Sequence, residues 1–185
     1  MVDFVKANNT FVSQHSEKMH EVSKLGPPPS EHLIVLTCMD ARLNPFKFLG
    51  LNEGEAHVIR NGGGYAKDAL NSIILSQQFL QTRSIAVIHH TDCGMTHFTV
   101  PELRHKILET HVGKLSPDKA SQVKKEYVEL EERQAFRPFK DVDESVKEDV
   151  QFLKVNPMVK SEEGSITGWV YETESGKVNG WSNQK

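Results

Sequence analysis

Three short apolar runs alternate with two stretches of helical character, and this order restricts the fold more than any other feature of the chain. The runs are LIVLT (Leu33–Thr37), AHVIR (Ala56–Arg60) and SIAVIHH (Ser84–His90). The first is continuous rather than alternating, the pattern of a strand covered on both faces. Between the first two, Asn44-Pro45 supplies a cap and a first-turn proline for the short helix PFKFLGL. Between the second and third, NGGG leads into AKDALNSIILSQQFLQ, whose spacing puts Leu70, Ile73, Ile74 and Leu80 on one helical face. Strand, helix, strand, helix, strand predicts an α/β fold with a mostly parallel central sheet flanked by helices. Such sheets hold ligands outside the carboxyl ends of their strands.

The flanking segments extend this frame. Helical spacing from about Asp3 to Val22 stops before the breaker cluster GPPPSE, which predicts an N-terminal helical arm over residues 1–30. Beyond the third strand, helical stretches are expected over Pro101–His111 and from Ser116-Pro117 to about Gln134. A further helix opens at an Asp141 cap, with Glu144 as its capping-box partner, and runs to about Leu153. KKEYVELEERQ reads as a solvated helix face. SITGWVYE and KVNGW, joined by TESG, predict a closing C-terminal hairpin. With no repeat and no low-complexity tract, residues 1–185 read as a single domain.

Composition removes several classes of function. A formal net charge of −3 gives no basic footprint for nucleic acid. No apolar run reaches the length that spans a bilayer, so no membrane role is expected. The first 25 residues lack the continuous apolar core of a secretory signal and carry acids without arginine, unlike a transit peptide. A cytoplasmic location is the expectation, and there a structural disulfide is uncommon.

The chain has only two cysteines, Cys38 and Cys93, and each lies just after an apolar strand and close to an aspartate. A disulfide, two unrelated small core residues, and two sulfur ligands of a metal are the available readings. His90 and Cys93 form H-x-x-C, close enough to hold one ion together, and Cys38 reaches it from the end of a different strand. Two thiolates and one neutral imidazole balance the charge of Zn²⁺, and three protein ligands leave the fourth position of a catalytic site to water. If the segment after Cys38 stays extended, Asp40 and Arg42 share its face, and the guanidinium keeps the carboxylate ionised and oriented. Taken singly these features are weak, since a strand-end cysteine is usually a small buried residue and an Asp–Arg neighbour pair is often structural. A disulfide leaves His90, Asp40 and Arg42 without a role, and no C-x-x-C supports a redox dithiol. Of the nine histidines, His89 faces away from the proposed ligand by strand alternation, and His97 reads as a solvated loop residue.

CMDARL, HVIRNGGG and HHTDCGM, in this order and followed by NPMV and ITGWVYETESG, resemble the β-class carbonic anhydrases, especially their short prokaryote-type branch. The resemblance covers about His32 to Tyr171. It implies that Cys38, His90 and Cys93 bind one Zn²⁺ per chain, that Asp40 pairs with Arg42, and that the Gly94 N–H holds a substrate oxygen. It also implies a homodimer or homotetramer whose N-terminal arm reaches across to a neighbour. The implied activity is hydration of a small molecule, CO₂, to bicarbonate by attack of zinc-bound hydroxide. Hydrolysis of carbonyl sulfide (COS) to H₂S and CO₂ at the same site is the alternative, some relatives act on carbon disulfide, and a closed, non-catalytic zinc site with Asp40 on the metal is a third reading. One departure stands out: the family commonly has Asn-Ala-Gly where this chain has Asn61-Gly62-Gly63-Gly64, which is expected to loosen the loop lining the pocket. The same loop lacks the third glycine of a dinucleotide fingerprint.

Overall fold

Side chains alternate across a strand, so a run that is apolar at every position must be covered on both sides. A computed structural model of the chain, describing residues 1–162 and 164–181, shows how that demand is met. In chain order the elements are α1 (Phe4–Val22), β1 (Leu33–Cys38), α2 (Pro45–Leu49), β2 (Ala56–Asn61), α3 (Ala66–Phe79), β3 (Ser84–His90), α4 (Val100–His105), α5 (Pro117–Glu132), α6 (Val142–Val155), β4 (Ile166–Tyr171) and β5 (Val178–Gly180). They form one five-stranded sheet of order β2-β1-β3-β4-β5, parallel from β2 to β4, with β5 antiparallel on β4 as the expected closing hairpin.

Ile34, Leu36, Ile85 and Val87 enter one layer, against Ala66, Ala69 and Ile73 of α3 and Val146, Val150 and Leu153 of α6. Each fully buried valine, leucine or isoleucine side chain among them contributes about 1.5–3 kcal/mol relative to exposure. Val35 and Ile88 face the other way and are also fully buried, under Phe48, Leu49, Leu51, Trp169 and Tyr171, which are themselves only partly buried. That second face keeps an apolar groove of about 470 Å³ lined by Leu33, Phe48, Leu51, Ala86 and Trp169 among others.

Local chemistry sets the element ends. Asn44 caps α2 by accepting from the Lys47 N–H at 3.2 Å, with Pro45 in the first turn, as the sequence predicts. Asp141 caps α6 by accepting from the N–H groups of Asp143 and Glu144. The Glu144 carboxylate, expected to complete the capping box, instead pairs with Lys147 one turn on at 3.1 Å. A full capping box occurs instead at Thr99 and Glu102, opening α4. The helix expected over Pro101–His111 begins at Val100, and its last stretch, Lys106–His111, winds as a π-helix.

The buried face of α3 differs from the expectation. It is Ala66, Ala69, Ile73, Ser76 and Gln77, while Leu80 is the C-cap, beyond the helix. Polar groups enter this face because partners await them. Ser76 Oγ shares hydrogen bonds with His57 Nδ1 at 2.7 Å and Thr82 Oγ1 at 2.8 Å, and Gln77 accepts from the Lys160 backbone N–H at 3.0 Å.

The connection out of β1 runs to β2 on one side, and the connection out of β3 runs to β4 on the other. The carboxyl ends of β1 and β3 are therefore neighbours at the point where the winding reverses, the place where open α/β sheets bind ligands. Gly64 is fitted to this point. Its φ of +79° suits glycine, and a Cβ there would lie 2.9 Å from the Thr37 carbonyl carbon and 3.0 Å from the Cys38 nitrogen. Gly64→Ala should cost about 2–4 kcal/mol in denaturant unfolding, from the left-handed backbone and the overlap together. A change within about 0.5 kcal/mol, the range of an ordinary surface substitution, would contradict this packing.

Candidate metal centre

Cys38 is the last residue of β1 and His90 the last of β3, and the turn after β3 returns Cys93 to the same spot. The Cys38 Sγ, the Cys93 Sγ and a His90 ring nitrogen all lie within 4.8 Å of one another, and all three residues are buried. The two sulfurs are 3.8 Å apart and unlinked. A disulfide needs a separation of about 2.05 Å, whereas two sulfurs bound tetrahedrally to zinc at about 2.3 Å lie about 3.8 Å apart.

The imidazole is prepared for a ligand. His90 Nδ1 donates to the Thr91 carbonyl at 2.9 Å, which leaves Nε2 with its lone pair free. Nε2 is buried and has no hydrogen-bond partner among the described residues. A buried acceptor without a partner is costly, and a metal-binding histidine usually shows this arrangement, one nitrogen tied to a backbone oxygen and the other bare. The donor set, its spacing and its orphaned nitrogen therefore fit zinc.

Backbone groups support the sulfurs. Without an ion, Cys38 is drawn well below the ordinary thiol range, chiefly by its hydrogen bond with Cys93, against burial, and further by His90 and the backbone N–H groups of Asp40 and Gly63. Cys93 is pushed up by the adjacent Cys38 thiolate and by burial. One negative charge thus already resides on the pair, and a divalent cation relieves the repulsion that keeps the second thiol protonated.

Asp40 and Arg42 meet beside this cluster, though not by the expected route. The chain does not stay extended after Cys38: it turns, with the Leu43 N–H donating to the Asp40 carbonyl at 3.0 Å. The Asp40 carboxylate accepts from the Arg42 backbone N–H at 2.9 Å and from Nε and Nη2 at 3.0 and 2.8 Å. A short polar side chain that binds the backbone two residues on is the reason an aspartate turns the chain here. The Arg42 side chain chiefly, aided by its backbone N–H, holds the Asp40 carboxyl well below the usual carboxylate range. Asp40 Oδ2 lies 3.9 Å from His90 Nε2, beyond hydrogen-bonding reach but facing the centre.

Two residues that sequence reasoning passed over hold this turn. Arg60, near the end of β2, donates to the Cys38 carbonyl at 3.0 Å and to the Asp40 carbonyl at 2.7 Å. Asn61 bonds both backbone groups of Tyr65 across the glycine loop, while its own carbonyl accepts from the Met39 N–H at 2.8 Å. Both lie in HVIRNGGG, where a charged residue ending an apolar strand was the available signal. His89 faces away from the centre as expected, but it is fully buried against Asp149 of α6, 3.2 Å away. His97 is exposed and meets Asp92 at 3.0 Å. Gly94 is exposed, with nothing within 4 Å of where a Cβ would stand.

Comparison with known proteins agrees with this geometry. The carbonic anhydrase family model matches residues 33–178. The chain is 36% identical over 155 residues to β-carbonic anhydrase 1 of Mycobacterium tuberculosis, covering 82% of this chain and 83% of the relative. It is 33% identical over 168 residues to the carbon disulfide hydrolase of Acidithiobacillus thiooxidans, covering 84% of this chain and 79% of that one. Among solved structures, the carbonic anhydrase from Glaciozyma antarctica superposes with a TM-score of 0.80 at 39% identity, over 97% of this chain and 96% of that one. Matched along the sheet, the glycine loop and the ligand turn together, the chain belongs to the β-carbonic anhydrase family, a family of zinc enzymes.

Proposed function

We propose that the chain catalyses hydration of CO₂ to bicarbonate, with Cys38, His90 and Cys93 holding zinc, Asp40 and Arg42 orienting the reacting water, and the Gly94 N–H facing a substrate oxygen. The observation that carries this reading is the bare, buried Nε2 of His90 set among two sulfurs with an Arg-clamped carboxylate alongside. Zinc, when bound, supplies a Lewis acid that makes water a nucleophile near neutral pH. The Thr91 carbonyl keeps His90 in the tautomer that offers Nε2. Three donations from Arg42 leave Asp40 a weak base, so its task is to accept a hydrogen bond and direct a water lone pair at carbon, and the released proton passes to solvent. Residues 1–185 act as one domain with 1–30 as its arm. A reducing compartment such as the cytoplasm keeps both thiols available as ligands.

Cys38→Ser or His90→Ala should lose zinc and activity together, read by metal analysis and stopped-flow hydration. Asp40→Asn should keep one zinc per chain and lose most turnover, and normal turnover in that variant would remove the carboxylate from the mechanism.

Carbon disulfide or carbonyl sulfide as substrate is a second reading, favoured by one observation. Gly62, where the family commonly has alanine, leaves a gap between two thioethers: a Cβ there would lie 3.8 Å from Met39 Cε and 3.9 Å from Met95 Sδ. Both distances are ordinary contacts, so Gly62→Ala should fold normally while placing a methyl group between Met39 and Met95 in the loop that packs against β1. A methyl group in a substrate pocket changes discrimination by about tenfold or more. Side-by-side assays of Gly62→Ala should show sulfide release from CS₂ or COS falling by about that factor relative to CO₂ hydration. An equal effect on both substrates would remove the loop from selectivity.

The functional unit in this reading is a homo-oligomer. α1 buries none of its residues, Phe4 and Val5 are 79% and 72% exposed, and Phe11 and Val12 are exposed on the same helix. The half-covered sheet face with its 470 Å³ groove offers apolar surface of matching character. Light scattering should find at least a dimer, and Phe4→Glu with Phe11→Glu should shift it toward monomer. A monomeric wild type would contradict this assembly.

A further inference from the structure

Asp92 stands between His90 and Cys93 in sequence, yet both its carboxylate and its carbonyl reach Arg42 in the other loop. Its Oδ2 accepts from Arg42 Nη1 at 2.7 Å and its backbone carbonyl accepts from Arg42 Nη2 at 2.8 Å. Its second carboxylate oxygen meets His97 Nε2 at 3.0 Å. The residue adopts φ +52°, a left-handed conformation uncommon outside glycine and better tolerated by aspartate and asparagine than by most residues. That backbone lets one residue present both its carbonyl and its carboxylate to a single guanidinium. Sparsely populated backbone conformations persist where the surrounding structure uses them.

The consequence lies in what Arg42 would do without this partner. Its side chain is half exposed, and its bonds to Asp40 join residues of one short turn. A pair of that kind has no anchor elsewhere in the fold and is weakened by solvent. Asp92 belongs to the loop after β3, so Arg42 becomes a tie between the turn that follows Cys38 and the turn that joins His90 to Cys93. With Nε and Nη2 on Asp40 and Nη1 and Nη2 on Asp92, the planar guanidinium is gripped from two sides.

We propose that Asp92 is a positioning residue for the reaction: it holds the Nη1/Nη2 edge of Arg42 while Asp40 takes the Nε/Nη2 edge, and through Arg42 it fixes the direction of the Asp40 carboxylate toward the metal centre. His97 steadies the Asp92 carboxylate from its other oxygen. The inference rests on the roles given to Asp40 and Arg42 above.

The test uses the full-length, zinc-loaded protein. Asp92→Gly removes the carboxylate while suiting the backbone, and Asp92→Asn keeps both an acceptor oxygen and tolerance of positive φ. Misplacing an orienting group by a fraction of an ångström justifies an expected loss of about tenfold in kcat for Asp92→Gly, with KM and zinc content unchanged and Asp92→Asn restoring most of the rate. In ¹⁵N-labelled protein the Arg42 Nε–H resonance should be sharp in the wild type and the Asn variant, and broadened in the Gly variant. Wild-type kcat with an unchanged Arg42 resonance in Asp92→Gly would overturn the inference, as would loss of zinc in both variants. Asp40→Asn assayed in parallel separates the two failures: normal turnover there defeats the roles of Asp40 and Arg42, whereas low turnover there with normal turnover in Asp92→Gly defeats only the role of Asp92.

Discussion

The parallel pairing of β1 with β3 is the contact on which the rest of the molecule depends. Its register sets Thr37 opposite Ile88, so Cys38 emerges from the sheet level with the last residues of β3. The pairing thereby brings together two segments whose cysteines, Cys38 and Cys93, are 55 positions apart in the chain. Slipping that register by one residue would turn every side chain of β1 to the opposite layer, exchanging Ile34 and Leu36 for Leu33 and Val35 against α3 and α6. The apolar core thus enforces the geometry of the polar site.

Given that alignment, electrostatics explain the surrounding residues. Two thiols and an imidazole buried together are a poor arrangement without a cation, since one sulfur takes the charge and pushes its neighbour's proton on. Backbone N–H groups of Asp40, Gly63 and Met95 aim at the sulfurs, and Arg60 ties down the carbonyls of the same turn. The glycine loop is close to β1 because Gly64 leaves no Cβ between the two backbones. Stability and readiness for metal are in this sense one property: the groups that hold the loops in place also define the charge the centre accepts.

Much of this is legible in the amino-acid sequence. The strands, the helix caps at Asn44 and Asp141, the closing hairpin and the convergence of Cys38 with His90 and Cys93 follow from apolar runs, capping residues and ligand chemistry. What escaped had specific reasons. The turn at Asp40 replaced the extended segment because an aspartate side chain competed successfully for the backbone N–H two residues on, a local choice that strand alternation does not describe. Ser76 and Gln77 joined the buried face of α3 because distant partners, His57, Thr82 and the Lys160 backbone, satisfy them. Apolar periodicity carries no trace of such partners. Asp92 was in plain view within HHTDCGM, but its bond to Arg42 spans 50 positions and needs a left-handed backbone that the letters do not announce.

The central claim is that two sulfurs and one imidazole nitrogen share a single zinc ion with a position left for solvent. Zinc K-edge X-ray absorption on reduced, freshly purified protein tests it most directly. The account predicts one zinc per chain with two sulfur scatterers at about 2.3 Å, one imidazole nitrogen at about 2.0–2.1 Å and one further light atom. Protein free of zinc with Cys38 and Cys93 joined to each other, or a bound zinc showing fewer than two sulfurs, would contradict it.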